Sequence, residues 1–421
     1  MRPDSPVHIL RSRVVLPVWR PPIEDGAVAI SGSRIVAVGD WRALRSEFTG
    51  EVCDLGESIL MPGLVNAHCH LDYTHMAGLF PPRNSFCDWI KLITTEKAQW
   101  TYSDFAESWL DGAKMLLRTG TTTVADIEAV PELLPDVWDA TPLRVLSLLE
   151  MTGVRSRRNP DHILNETLRT IQSLRHDRSI AGLSPHAPYS TTARLLRRSA
   201  AAARKRKLLV ATHVAESATE FEMFRQGCGE MHEWLQRNER DMSDCDGTSP
   251  VQHLARQRLL GPHLLAVHLN YLAPGDARLL AQKTVSVVHC PRSHDYFKHQ
   301  PFPYRALANA GVNLCFGTDS LATVRTTQRG QPELNLFREM QTFGTRNLTV
   351  PDHKIVRMAT LNGARALDQV GQIGELNRNT LADLIAIPFT RKRSEIYEAI
   401  IYFSSEVTAS MIGGEWAIPP K

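Results

Sequence analysis

PGLVNAHCHLDYT, residues 62–74, decides the fold. It opens on the turn-forming pair Pro62-Gly63, passes through apolar Leu64 and Val65, and ends on His68-Cys69-His70. In an extended chain residues two apart point the same way, so both imidazoles can reach one metal ion. Cys69 then faces away as a small buried apolar group. Two histidines two apart are ordinary by themselves; what repeats downstream gives them weight. Working outward, strand-like apolar runs recur at 60–66, 121–127, 143–149, 180–184, 208–213, 264–268, 285–289 and 312–318. Stretches with apolar residues three and four apart lie between them, including 104–118 and 332–342, and read as helices. Eight strands alternating with helices predict an α/β fold, a (β/α)₈ barrel of the TIM type.

The flanks read differently. Residues 14–16, 27–30 and 34–38 are β-rich and punctuated by Gly26, Gly32 and Gly39; 382–387 and 409–412 look alike near the other end. Chain ends often meet in space. The expected organisation is therefore a barrel over 61–370 and one small β-sandwich-like domain assembled from 1–60 and 371–421.

Composition bounds the function. With 43% hydrophobic and 22% charged residues, the 421-residue chain has the make-up of a globular enzyme. A net charge of +3 gives no reason to expect a nucleic-acid partner. The basic run over 194–207 has helical spacing and reads as a solvated helix face. No apolar run reaches the ~18 residues of a membrane span, and the charged N-terminal stretch lacks a signal-peptide core. A cytoplasmic location is expected, with no membrane partner. Seven scattered cysteines without a C-x-x-C pair indicate neither a disulfide framework nor a thiolate zinc site. G-x-G-x-x-G, P-loop and G-x-S-x-G signatures are absent.

His186, His213, His268 and His289 end or follow predicted strands, as His68 and His70 do, and Asp319 follows the eighth. Barrel enzymes gather their chemistry at the C-terminal ends of several strands, so six of the sixteen histidines are expected at one rim.

These motifs carry a resemblance. PGLVNAHCHLDYT, SPHAPYS (184–190), THVAE (212–216), HCPRSH (289–294) and GTDS (317–320), with ATLNGARALDQVGQIGEL (359–376) and ADLIAI (382–387), resemble the amidohydrolase superfamily. The similarity is to its deaminase and chlorohydrolase branch and covers nearly the whole chain. The resemblance implies His68, His70, His213 and Asp319 as ligands of one divalent metal ion. Zinc suits this set, and iron(II) fits similar ligands. It also implies Glu216, three residues beyond His213, as the proton shuttle. His268 would orient the attacking water, Asp319 would accept a proton from it, and His186 would face the substrate. The segment 180–186 offers no lysine of the kind that bridges two metals in binuclear members, which favours one.

The activity so implied is hydrolytic deamination of an aminated nitrogen heterocycle, a purine nucleoside-like compound such as aminodeoxyfutalosine. The alternatives are hydrolysis of another C–N or C–Cl bond, as in triazine or formimino compounds, and a non-catalytic scaffold. The expected partner is a small-molecule substrate, and a homodimer is one assembly open to the chain. The loop over 80–90 would wall the pocket, with Trp89 stacking on a flat ring or sitting in the core. Arg83 and Arg155 read as solvated residues that could reach polar substrate groups. Two departures stand out. His294 occupies the position where the family often has asparagine, which leaves its role and the exact substrate open. Asn379-Thr380 replaces the usual Gly-Lys in the small β domain.

Overall fold

The computed structural model describes residues 6–81, 85–154, 159–245, 247–325 and 331–420. Eight parallel strands run in sequence order around a barrel: β1 (Leu64–Cys69), β2 (Thr121–Glu128), β3 (Arg144–Met151), β4 (Ile180–Pro185), β5 (Val210–Val214), β6 (Leu264–His268), β7 (Ser286–His289) and β8 (Asn313–Phe316). Closure is made just beyond β8. Cys69 and Asp319 form a parallel bridge, Asp319 donates its N–H to the His68 carbonyl at 3.2 Å, and Asn66 accepts the Thr318 N–H at 3.1 Å. Gly317 permits this approach: a Cβ there would lie 2.7 Å from His68 Cβ.

The first predicted strand, 60–66, divides at Gly63. Ser58–Pro62 belongs to the outer sheet, and the barrel strand starts at Leu64. One continuous apolar run thus serves two sheets, which periodicity cannot reveal. The helix expected from 104 begins at Tyr102, because Thr101 and Asp104 form a capping box. It buries Phe105, Trp109, Ala113 and Leu116, one stripe at three- and four-residue spacing, against β2. Full burial of a side chain such as Phe105 or Leu116 contributes roughly 1.5–3 kcal/mol. The helix expected from 332 starts at Leu336, where the Asn335 side chain accepts the Arg338 N–H as cap.

The outer sheet has eight strands drawn from both ends of the chain. The order is Glu415–Ile418, Ala409–Ile412, Leu384–Pro388, Ser58–Pro62, Val7–Val15, Ile23–Ser31 and Arg34–Asp40, with Glu51–Asp54 also beside Val7–Val15. Val7–Val15 changes partner along its length, pairing first with Glu51–Asp54 and then with Ile59 and Leu60. The two sheets are joined by a buried ion pair: Arg144 on β3 donates from Nε and Nη2 to Asp383 at 3.1 and 3.3 Å. Asp383 also accepts the Gly413 N–H at 2.7 Å. Among the described residues no helix is long and apolar enough to cross a membrane.

Candidate metal centre and ligand cavity

The C-terminal ends of the barrel strands bring together five of the sequence-identified residues. His70 Nε2 and His213 Nε2 are 3.3 Å apart. Asp319 Oδ1 lies 3.5 Å from His68 Nε2 and 3.8 Å from His70 Nε2. His68, His213 and His268 bring one ring nitrogen each within 4.8 Å of one another, as His68, His70 and Asp319 do with their ligand atoms. His268 therefore stands as close to the focus as the residues expected to be ligands.

Local structure fixes each group. Asn66 accepts from Thr318 N–H and donates to Thr318 Oγ1 at 2.8 Å, tying β1 to the segment that carries Asp319. Thr323 Oγ1 donates to Asp319 Oδ2 at 3.2 Å, leaving Oδ1 toward the imidazoles. Asp126 accepts the Leu71 N–H at 2.9 Å and the Trp109 indole N–H at 3.0 Å, which holds the turn just after His70. Burial outweighs these two bonds and pushes the Asp126 carboxyl up to about 7. His213 donates Nδ1–H to the His186 carbonyl at 2.9 Å, so its Nε2 lone pair faces the focus. His268, Ala215 and Asp319 are non-glycine residues with φ of +73°, +50° and +54°. Such strain concentrates at functional sites.

The donor set fits a divalent cation. Both ring nitrogens of His68 and the Nε2 of His268 are buried without a hydrogen-bond partner. An unsatisfied buried polar atom costs about 1–3 kcal/mol; a cation at the shared focus would take one lone pair of the His68 ring, and His268 Nε2 faces the same point. Neutral imidazoles with a carboxylate suit a borderline transition ion. Burial, then neighbouring histidine charge, drives His213 well below the ordinary imidazole range, so it is a neutral donor. Burial pushes Asp319 up, but the approach of His68 and the charges of His268 and His70 outweigh it, holding the carboxyl well below its usual range.

Glu216 is buried, with Oε1 3.5 Å from His268 Nε2. Burial, then the charges of Asp319 and Glu220, raise its carboxyl well above normal. Its backbone is held at both ends: Glu220 Oε2 accepts its N–H and Asn270 Nδ2 donates to its carbonyl, both at 2.9 Å. Sequence reasoning missed Asn66, Asp126 and Asn270. A polar residue inside the apolar run of β1 was the available signal for Asn66.

A cavity of about 290 Å³ opens over this focus. His186 lines it, with Nδ1 2.6 Å from Ser190 Oγ. Trp89 lines it too, while packing on Phe86 and edge-on to Phe297 at 5.9 and 5.2 Å. It is cavity wall and aromatic core at once. The wall residues that were not foreseen include two charged ones: Lys97, whose ammonium donates to Tyr73 Oη, and Glu150 on β3. Burial pushes Glu150 up, but the Lys97 and His186 charges more than offset it, so the carboxyl is ionised. His289, grouped by sequence with the strand ends, does not line the cavity, and neither does His294; His289 stacks on Phe302 at 3.7 Å. Arg83 and Arg155 lie outside the described residues, as does the middle of the 80–90 loop.

A closed parallel barrel with a His/Asp focus at its C-terminal rim defines the class, a barrel enzyme with a metal-binding centre. Residues 59–417 match the amidohydrolase family, and the chain belongs to that family. A short stretch, 26–50, also matches a bacterial imidazolonepropionase-like composite domain. The 5-methylthioadenosine/S-adenosylhomocysteine deaminase of Nitratidesulfovibrio vulgaris strain Hildenborough is 30% identical over 416 residues, covering 93% of this chain and 87% of that protein. Among solved structures, a zinc-bound adenosine deaminase from Xanthomonas campestris has a TM-score of 0.82 at 26% identity, covering 98% of this chain and 92% of the other. Helicobacter pylori aminofutalosine deaminase in complex with methylthio-coformycin has a TM-score of 0.86 at 20% identity, with 98% and 100% covered; that likeness is one of fold.

Proposed function

We propose that this chain is a metal-dependent hydrolytic deaminase of a 6-aminopurine derivative, a nucleoside-like compound such as aminodeoxyfutalosine. The carrying observation is the buried Glu216 set 3.5 Å from His268 Nε2, its carboxyl raised by burial, beside the His/Asp focus and under a cavity walled in part by aromatic rings. The names of its relatives support the same reaction. His68, His70, His213 and Asp319 would hold the ion, zinc in this reading, with His268 beside them. When bound, the ion supplies a Lewis acid that lowers the pKa of water toward ~7.

The chain's own residues do the rest. The ionised Asp319 carboxylate takes a proton from the attacking water, and His268 Nε2 orients that water. Glu216 gives its proton to the ring nitrogen next to the attacked carbon, neutralising charge that builds on the ring. The emptied carboxylate then takes the remaining proton of the added hydroxyl and passes it to the leaving amine, and the proton held by Asp319 restores Glu216, so water and the aminopurine become the 6-oxopurine and ammonia. His186 and Trp89 bound the base, and Lys97 and Glu150 face the substrate's polar half.

Residues 1–60 and 371–421 are read as one small domain around a 61–370 barrel, supported by the sheet they share. A cytoplasmic protein with a small-molecule partner, acting as monomer or homodimer, fits seven free cysteines and a net charge of +3. The test is a panel of metal-loaded reactions: adenosine, 5′-methylthioadenosine, aminodeoxyfutalosine, guanine, cytosine, and chloro- and aminotriazines. Ammonia from the aminopurines supports the reading; turnover confined to chlorotriazines with chloride release overturns it.

A further inference from the structure

We infer that His294 is a positioning residue for Glu216, acting through Asn270; this rests on the reading of Glu216 as the proton carrier. His294 sits in the short helix Pro291–Tyr296 that follows β7. Its Nδ1 is 2.9 Å from Asn270 Oδ1, and Asn270 Nδ2 is 2.9 Å from the Glu216 carbonyl. All three residues are buried.

The roles in this chain are forced from the Glu216 end. A carbonyl oxygen only accepts, so the amide group facing it is the Asn270 NH₂. Asn270 Oδ1 therefore faces His294 and needs a donor, and His294 Nδ1 must carry the hydrogen. Burial, then the Arg346 charge, outweighs a hydrogen bond with the Gln300 backbone and holds His294 at about 4, so the ring is neutral at pH 7 and has a single N–H, the one directed here to Asn270. The main chain of the same turn adds two bonds. Leu269 N–H donates to the Val214 carbonyl and Asn270 N–H to the Ala215 carbonyl, each at 3.0 Å. Leu269 and Ala215 both have φ of +50°. The turn after β6 thus grips the strained turn that presents Glu216, and His294 fixes which way the Asn270 amide points. Without that donor the amide can rotate by half a turn and set oxygen against oxygen at Glu216.

The geometry also accounts for histidine at a position where asparagine is common in similar chains. The nitrogen of an asparagine amide is three bonds from Cα, as is histidine Nδ1, so either residue can donate to Asn270. His294 does not line the cavity, so it acts on Glu216 and not on substrate.

The experiment compares His294→Ala, His294→Asn and Glu216→Gln, alone and combined, on zinc-loaded protein with 5′-methylthioadenosine. His294→Ala should lower kcat at least ~10-fold, with KM and metal content held within ~2-fold, as sub-ångström misplacement of a reacting group predicts. His294→Asn should return kcat to within ~3-fold of wild type. In the Glu216→Gln background His294→Ala should cost less than ~2-fold more. Unchanged kcat in His294→Ala, loss of metal, failure of asparagine to rescue, or an undiminished loss without Glu216 each overturns the inference. Asn270→Asp keeps the His294 bond but turns an acceptor to the Glu216 carbonyl; it should lower kcat likewise if His294→Ala does not fold, and unchanged kcat there overturns the inference too. If wild type releases no ammonia, the functional reading fails separately. Nitrogen-15 NMR of the His294 ring then decides: an Nδ1–H tautomer sustains the latch and an Nε2–H tautomer overturns it.

Discussion

His213 donates its Nδ1–H to the backbone carbonyl of His186, 2.9 Å away, and this bond turns its Nε2 to within 3.3 Å of His70 Nε2. The main chain of the strand next door thereby chooses the tautomer of a ring on β5. Such outer bonds orient ligands and raise their basicity. The chain purified without chelator should carry about one equivalent of divalent metal, with ligand distances near ~2.0–2.2 Å for zinc. His68→Ala or His213→Ala should lose it. Elemental analysis checks this, and stoichiometric metal in both variants would contradict the ligand assignment.

Glu216→Gln should retain metal but lose at least ~10²-fold in kcat, the lower range for general acid–base catalysis. Its carboxyl lies 3.5 Å from His268 Nε2. His268→Ala should also slow turnover while the protein keeps part of its metal. Metal titration alongside steady-state kinetics separates the two effects.

How much of this was legible beforehand follows from physical range. His68, His70, His213, His268 and Asp319 sit at or just past strand ends, which are visible as breaks in apolar runs; Glu216 was legible only through the resemblance to the amidohydrolase superfamily. The partition at Gly63 was not, because Leu60 and Leu64 are equally apolar although they serve different sheets. Asn66, Asp126 and Asn270 act through hydrogen bonds to segments 252, 55 and 54 residues away, and local patterns carry no record of such pairings. Lys97 and Glu150 were hidden for a similar reason: a charged residue near the end of a helix or a strand reads as solvated until the cavity beside it is known.

Glu150 faces the cavity as an ionised carboxylate for which no hydrogen bond or close ion pair is recorded among the described residues, with Lys97 as its main counter-charge. Replacement by Gln keeps the shape and removes the charge. Glu150→Gln should raise KM for a nucleoside by about 10-fold and leave kcat within a few-fold, the pattern of lost ground-state binding. An unchanged KM, or a loss confined to kcat, would remove Glu150 from substrate recognition.

Arg144 and Asp383 join the barrel to the outer sheet, and Asp383 is only 2% exposed. Arg144→Ala leaves that carboxylate buried and unpaired, which should cost about 3–5 kcal/mol. Arg144→Ala combined with Asp383→Asn should recover part of the loss. Urea unfolding measures both; a single variant as stable as wild type would mean that the two sheets are held by apolar packing alone.

The central claim is hydrolysis: oxygen from water replaces an exocyclic amine, and the reaction depends on the metal and on Glu216. The most direct measurement is mass spectrometry of the purine product after turnover of 5′-methylthioadenosine or aminodeoxyfutalosine in ¹⁸O-labelled water. The account predicts one labelled oxygen at the former amino carbon and one ammonia per turnover, both abolished by chelation and by Glu216→Gln. Unlabelled product, or undiminished turnover after the metal is stripped, would contradict it.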